Sequence, residues 1–309
     1  QPSKETLLMR VFRYQLPLDP PVVFGQQAHQ FRTGLLLEQD GHWSEAAPLP
    51  YFSQETLDDV IASLRGNGTT PRSLEFALET LRPLKDVAIP MNALLQGSPE
   101  QIEQAAESLA QSDCRAVKLK VGRGEFKKDV EMVRFVRSTL QSNQSLRLDA
   151  NRAWDWDTAM KFSLAVKDLD IEYLEEPLQD PTRLDDLTRE TGIRYALDET
   201  LLEYQSLNDF ALPAALIIKP TILGGRAKIV QLSQRGVPLT FSASYESGVG
   251  LSRIVQLAAE FAPDRPAGLD TYRYLKTDVL QERWTMDNWA FHVKGAVQLD
   301  KRFVEQVEL

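Results

Sequence analysis

The chain has 309 residues, 43% hydrophobic and 26% charged, enough apolar material for one large domain or two smaller ones. Acidic residues outnumber basic ones by 44 to 35, and the net charge of −9 speaks against general binding of nucleic acid or of an anionic membrane surface. The single cysteine, Cys114, can form no intramolecular disulfide and fits a reducing, cytoplasmic setting. No apolar run reaches the length of a membrane span and no signal peptide is seen; the start at Gln1 rather than Met points to a trimmed N-terminus.

In chain order, a strand is predicted over 6–14 and a loop over 17–31, where Pro17, Pro20, Pro21 and Gly25 cluster. Strands over 31–38 and 43–46 flank Asp40-Gly41, a hairpin turn signal. An irregular stretch follows over 48–53. Ser53-Gln54-Glu55-Thr56 then opens a helix with a capping signal, and a second helical pattern runs over 72–84. Strands followed by helices make an α+β unit. From residue 88 short apolar strands alternate with amphipathic helices. The strands are predicted at 89–95, 116–121, 146–150, 171–174, 195–197, 215–218, 239–242 and 267–269. Helical patterns lie near 99–111, 126–140, 156–167, 182–190, 203–210, 225–235 and 250–261. This alternation means parallel strands with crossovers, and a repeat of about 25 residues favours a closed barrel. The alternative, an open doubly wound sheet, lacks a Gly-x-Gly-x-x-Gly after the first strand. The tail from about 271 carries Trp284, Trp289 and Phe291 and is predicted to pack back on the N-terminal unit.

The chemistry centres on Val117-Lys118-Leu119-Lys120-Val121. Side chains alternate along a strand, so Lys118 and Lys120 share a face while the apolar neighbours argue for burial. Burying two cations together is costly, but like charge and desolvation lower a lysine pKa towards that of a base. The plain alternative is an edge strand with two solvated lysines. Active sites of barrels lie at the C-terminal ends of the strands. There the following strands end in Leu148-Asp149-Ala150-Asn151, Leu174-Glu175-Glu176-Pro177, Leu197-Asp198-Glu199 and Ile218-Lys219-Pro220. Each acid alone reads as a helix cap or an ion-pair partner. Asp149, Glu175 and Asp198 on successive strands, bracketed by lysines, read as a site. Three such carboxylates repel one another unless a divalent cation joins them. His29, His42 and His292 lie outside these motifs, so the all-oxygen set suits Mg²⁺, with Mn²⁺ as a substitute, rather than zinc.

In this order and spacing, the motifs Lys-x-Lys, Leu-Asp-Ala-Asn, Leu-Glu-Glu-Pro, Leu-Asp-Glu-Thr and Ile-Lys-Pro resemble those of the enolase superfamily, muconate-lactonizing subgroup. Residues 146–154, 47–56, 242–248 and 268–271 are similar to segments of its o-succinylbenzoate synthase family, with Tyr51 where glycine is common. The resemblance implies an α/β fold: a modified TIM barrel, (β/α)7β, over 88–270. An α+β capping domain over 1–87 would be completed by the C-terminal segment over 271–309.

The resemblance also implies a hydro-lyase of menaquinone biosynthesis. It would dehydrate 2-succinyl-6-hydroxy-2,4-cyclohexadiene-1-carboxylate, a small carboxylate, to o-succinylbenzoate through a metal-stabilised enediolate. Asp149, Glu175 and Asp198 would hold the metal. Lys120 would be the base, assisted by Lys118, with Lys219 a cation over the ring face. Ser242, Ser244 and Gly268 would offer hydroxyls and backbone N–H groups to the succinyl carboxylate. Arg147, Asn151, Glu176 and Glu199 would orient ligands and lysines, with Arg147 and Asn151 also counted among the substrate contacts. A loop around Phe24-Gly25 would close over the mouth. Two alternatives stay open: an N-succinylamino-acid racemase or dipeptide epimerase of the same fold, and a non-catalytic barrel that only binds. The lone Asp270 weakens the epimerase, which usually carries an acidic pair there.

Overall fold

The computed structural model describes residues 9–24, 27–204 and 206–309. Strands β1 (Arg10–Phe24), β2 (Gln27–Gln39) and β3 (His42–Ala46) form an antiparallel meander. Asp40 and Gly41, both at positive φ, make the β2–β3 turn expected from the sequence. The loop expected over 17–31 is instead the far end of the β1–β2 hairpin. Its prolines fall where the register shifts, between Pro17 and Val22, so their missing N–H groups break no regular ladder. Residues 6–8 of the predicted first strand, and Gly25 of the predicted loop, lie outside the described residues. Gly34 of β2 lies against the Tyr14 ring, which a Cβ would approach to 2.6 Å.

Helix α1 (Leu57–Leu64) is capped by Thr56, whose hydroxyl accepts from Asp59 N while the Asp59 carboxylate accepts from Thr56 N. Helix α2 (Arg72–Thr80) follows Pro71, which has no capping side chain; Glu55 accepts from Arg72 N and Ser73 N in its place. The glutamate of the predicted capping signal therefore serves the second helix. Val60, Leu74 and Ala77 of these helices pack on Val11, Leu35 and Leu37 of the sheet.

The barrel begins after β4 (Val87–Pro90). Its strands are β5 (Ala93–Leu95), β6 (Ala116–Lys120), β7 (Ser145–Asp149), β8 (Tyr173–Glu175), β9 (Tyr195–Leu197), β10 (Ala215–Ile218) and β11 (Leu239–Phe241), parallel neighbours in sequence order. Between them run α3 (Pro99–Ala110), α4 (Phe126–Thr139), α5 (Trp156–Val166), α6 (Leu184–Thr191), α7 (Glu199–Glu203), α8 (Pro220–Leu223) and α9 (Arg226–Ser233), with α10 (Gly248–Phe261) after the last strand. The predicted strand over 89–95 is two strands, broken at Met91-Asn92. The predicted eighth strand contributes single bridges, Met91 with Ala267 and Ser242 with Gly268, which join the two edges of the sheet. The helix predicted over 203–210 lies earlier, as α7, starting directly after β9. The tail adds β12 (Thr285–Asp287), which pairs with β13 (Ala290–Val293), itself paired with β4, and β14 (Val304–Val307), which pairs with β1. Among the described residues no helix is long and apolar enough to cross a membrane.

Candidate active site

Strand alternation and register stack the inward side chains in layers. Lys120 is paired in register with Asp149 and Asp149 with Glu175; one layer down, Lys118 lies beside Arg147 and Arg147 beside Tyr173. Val117, Leu119, Leu146 and Leu148 take the opposite face and are fully buried. Each such side chain stabilises the barrel by roughly 1.5–3 kcal/mol. Asp198 and Lys219 follow the last residues of β9 and β10.

These strand ends open into a cavity of about 790 Å³, walled by Lys118, Lys120, Asp149, Glu175 and Lys219 on the barrel side and by Val22, Tyr51 and Phe52 on the cap side. Asn151, Arg152 and Tyr245 at strand ends, and Tyr51 opposite them, all have positive φ and all line the cavity. Backbone of this kind is costly for residues with a Cβ, and surrounding structure holds it in place.

The acids and lysines are interlocked. Lys118 Nζ lies 2.7 Å from Asp149 Oδ2 and 2.8 Å from Glu175 Oε1. Lys120 Nζ donates to Asp149 Oδ2 at 2.6 Å and to Asn151 Oδ1 at 2.7 Å. Lys219 Nζ is paired with Asp198, and lies 5.7 Å from the centre of the Phe52 ring. The two sides of the cavity differ in charge behaviour. Burial lowers the Lys120 pKa; Asp149 opposes this, Lys118 adds to it, and the net shift is downward. Burial also acts on Lys219, but Asp198 and Glu199 outweigh it and hold that ammonium above its usual range. Lys118 is likewise held up, by Asp149 and Glu175.

The donor set fits a hard divalent cation. Burial and the charge of Asp149 push Glu175 up to about 8, and its Oε2 is buried without a hydrogen-bond partner among the described residues. One more positive charge there would satisfy that oxygen and relieve the repulsion. As they stand, the carboxylates turn to lysine ammoniums, and among the described residues no three ligand-type groups are already gathered around a point.

Sequence comparison decides the family. A family model described as enolase C-terminal domain-like matches residues 100–297, and one described as MenC, N-terminal domain, matches residues 7–73. The o-succinylbenzoate synthase of Pectobacterium atrosepticum is 32% identical over 323 residues, covering 94% of this chain and 97% of the relative. The chain belongs to the o-succinylbenzoate synthase family. The Yersinia pseudotuberculosis member is 31% identical over 304 residues, covering 88% and 92%. The solved o-succinylbenzoate synthase of Thermosynechococcus elongatus, complexed with Mg in its active site, superposes with a TM-score of 0.76 at 25% identity, covering 87% of this chain and 94% of that one. An N-succinyl Arg/Lys racemase of Bacillus cereus shares the fold, with a TM-score of 0.80 at 16% identity over 97% of this chain and 99% of that one.

In this member of the synthase family several expected contacts fall differently. Arg147 does not line the cavity. It is 1% exposed, one layer below Asp149, and donates to Glu172 at 2.7 Å, Asn92 at 3.3 Å and the Pro266 carbonyl at 2.8 Å. It braces the barrel interior, beneath the substrate space. Ser242, Ser244 and Gly268 do line the cavity, but their backbone N–H groups are spent on the Ile218 carbonyl, the Glu246 carboxylate and the Phe241 carbonyl. The Ser244 hydroxyl is what remains, buried and without a hydrogen-bond partner among the described residues.

Glu176 is fully buried and accepts from Asp198 N, Thr200 N, the Thr200 hydroxyl and Arg152, which fixes the turn after β9. Glu199 lines the cavity, pushed up to about 7 by burial and by Asp198; its Oε1 faces Asn151 Nδ2 at 3.4 Å. The expected lid rests on Gly25 and the Phe24 side chain, which lie outside the described residues. The sequence reading missed Phe52, Asn92, Arg123 and Thr271 on the cavity wall. Phe52 and Thr271 had a signal, their places in the similar segments over 47–56 and 268–271; Asn92 and Arg123 had none.

Proposed function

We propose that this chain catalyses the Mg²⁺-dependent dehydration of 2-succinyl-6-hydroxy-2,4-cyclohexadiene-1-carboxylate to o-succinylbenzoate, a step of menaquinone biosynthesis. The observation that carries the reading is the placement of Lys118 and Lys120 from β6 and of Lys219 from the end of β10 around one cavity, each against a carboxylate of the Asp149, Glu175 and Asp198 set. Asp149, Glu175 and Asp198 would hold the divalent ion, which when bound supplies positive charge to the substrate carboxylate. Lys120, as a neutral amine, takes the proton from the ring carbon that bears that carboxylate. The electrons of the C–H bond shift towards the carboxylate, making an enediolate. Their return into the ring expels the hydroxyl group, which leaves as water with the proton held by Lys120. The ring becomes aromatic, and no oxidant is needed. Lys118 keeps its proton throughout and depresses the Lys120 pKa. Lys219 also stays charged and faces the electron-rich ring from the other side. Asn151 positions the Lys120 ammonium, and Glu176 positions Asp198. In this reading the chain divides into a cap over 1–87, a barrel over 88–270 and a returning tail over 271–309.

The test is the absorbance assay for the aromatic product with and without Mg²⁺, run beside a racemisation assay on N-succinylamino acids. Metal-dependent dehydration that outpaces racemisation is expected. Racemisation without dehydration, or dehydration that survives exhaustive chelation, would overturn the reading.

A further inference from the structure

We propose that Arg123 is a specificity-determining residue that holds the terminal carboxylate of the substrate's succinyl chain at the cavity mouth. This rests on the dehydration reading, which gives the substrate two carboxylates. One sits on the ring beside the acids and Lys118. The other ends a flexible chain and needs a partner of its own.

On the side of the cavity near Ser242 and Gly268, the backbone N–H groups of Ser242, Ser244 and Gly268 are already spent on other acceptors. The hydroxyls of Ser244 and Thr271 are both buried without a hydrogen-bond partner among the described residues, and both residues line the cavity. Neutral hydroxyls do not offset a second anion in a space already walled by Asp149, Glu175, Glu199 and Asp270. A cation is required. Three arginines line the cavity. Arg152 is committed to Glu176 and Glu203, at 3.1 and 2.7 Å. Arg72 faces the Leu202 carbonyl and the Glu75 charge. Arg123 has one long bond, 3.4 Å to Gln96 Oε1, and no ion pair among the described residues.

Its direction is fixed by the residue before it. Gly122 has φ +75°, its N–H is held by Asp129 at 2.8 Å, and a Cβ there would come within 2.6 Å of Ala153. The chain therefore leaves β6 along one path, which delivers Arg123 to the mouth. From Arg123 the contacts continue through Gln96, which donates to the Tyr274 hydroxyl, to the Tyr245 ring, edge-on to Tyr274 at 5.7 Å and next in sequence to Ser244. The Tyr245 phenol also feels the Arg123 charge. Arg123 and the orphaned Ser244 hydroxyl thus border the same stretch of cavity wall, linked by two hydrogen bonds and one ring contact. A guanidinium suits a carboxylate that arrives end-on, because its N–H groups can engage both oxygens.

The experiment combines steady-state dehydration with equilibrium binding of o-succinylbenzoate and of its ester at the succinyl end, in wild type, Arg123→Gln and Arg123→Lys. Arg123→Gln should raise KM roughly tenfold, the size of one charge-assisted hydrogen bond, with a much smaller change in kcat. The preference for free acid over ester should fall by a similar factor, and Arg123→Lys should restore part of it. The proposal is overturned if wild type turns over and Arg123→Gln keeps the same KM and the same acid-over-ester preference. It is also overturned if acid and ester binding weaken equally, which marks a structural role. Wild type that fails to dehydrate at all removes the functional reading, and this proposal with it.

Discussion

At the floor of the cavity, Lys118, Lys120 and Lys219 are each within hydrogen-bonding distance of a carboxylate, and those carboxylates are at most 3% exposed. At the mouth, Arg123 has no ion pair among the described residues, and Val23 and Tyr51 stand 64% and 75% exposed. The floor residues sit on barrel strands, or directly after them as Asp198 and Lys219 do, and ladder bonds on both sides set the positions of those strands. The mouth residues come from loops and from the cap. Rate and selectivity are therefore separable in this molecule: floor substitutions should act on kcat, and mouth substitutions on KM.

The largest effects belong to the lysines. Lys120→Arg keeps a cation but is far too weak a base at neutral pH, and should abolish dehydration, a loss of at least the roughly 10²- to 10⁴-fold that general base catalysis supplies. Lys219→Arg also keeps the cation and should retain measurable turnover. Turnover by Lys120→Arg alongside a dead Lys219→Arg would reverse the assignment. Asp149→Asn comes next. It removes the anion that both strand-β6 lysines engage, and should weaken Mg²⁺ binding measured by calorimetry and lower kcat together. Unchanged Mg²⁺ affinity would take Asp149 out of the ligand set.

These floor residues were legible in the sequence because two regular periods coincide there. Alternation along a strand gave the face, and the βα repeat gave the strand end. Alternation does not give depth. Arg147 shares its face with Asp149, yet two residues earlier on a strand is one layer lower, which moved it from a substrate contact to a brace beneath the site. The mouth had no such period. Gln96, Arg123 and Tyr245 come from three separate loops and Tyr274 from a short 3-10 turn, and such connections follow no repeat. Proline content misled for the β1–β2 hairpin, because a register shift accommodates prolines inside a strand pair.

Between floor and mouth lies the joint of cap and barrel, and it carries an effect of intermediate size. Glu45 on β3 is fully buried and accepts from the Tyr14 hydroxyl at 2.7 Å, from Ser247 N at 3.2 Å and from Gly250 N at 2.9 Å, as well as from the Ser247 hydroxyl. Burial pushes its carboxyl up to about 7, with Glu246 adding to the rise and the hydrogen bonds and Arg32 opposing it. A carboxyl raised in the folded state is protonated there while the unfolded chain is not. Folding then binds a proton between about pH 4.5 and 7, so stability falls as pH rises through that window and levels off above it. The contribution is about 3 kcal/mol at most, at 1.36 kcal/mol per pKa unit. Glu45→Gln removes the titration. Melting at pH 5 and pH 8 should show a larger drop in wild type than in the variant, and parallel profiles would refute it.

The smallest predicted effect is at Tyr51, and it tests the division of labour most sharply. Its φ of +75° places a Cβ in the left-handed region, at a cost of roughly 1–2 kcal/mol. Its ring is largely exposed and touches Phe52 edge-on at 5.3 Å. Tyr51→Gly relieves the strain but gives back part of the gain as unfolded-state entropy, so stability should rise by about 1 kcal/mol or less. The same change strips an aromatic wall from the mouth and should raise KM a few-fold. Stability and affinity would then move in opposite directions, the pattern expected where strain is retained for binding. Phe52 complicates this usefully, since its ring also faces Lys219 at 5.7 Å. If loss of Tyr51 lets Phe52 shift, Lys219 loses that contact and kcat falls. A change confined to KM keeps mouth and floor independent. A fall in kcat larger than the rise in KM would show that the cap loop reaches into the chemistry, and the separation argued from the exposed and buried charges would not hold.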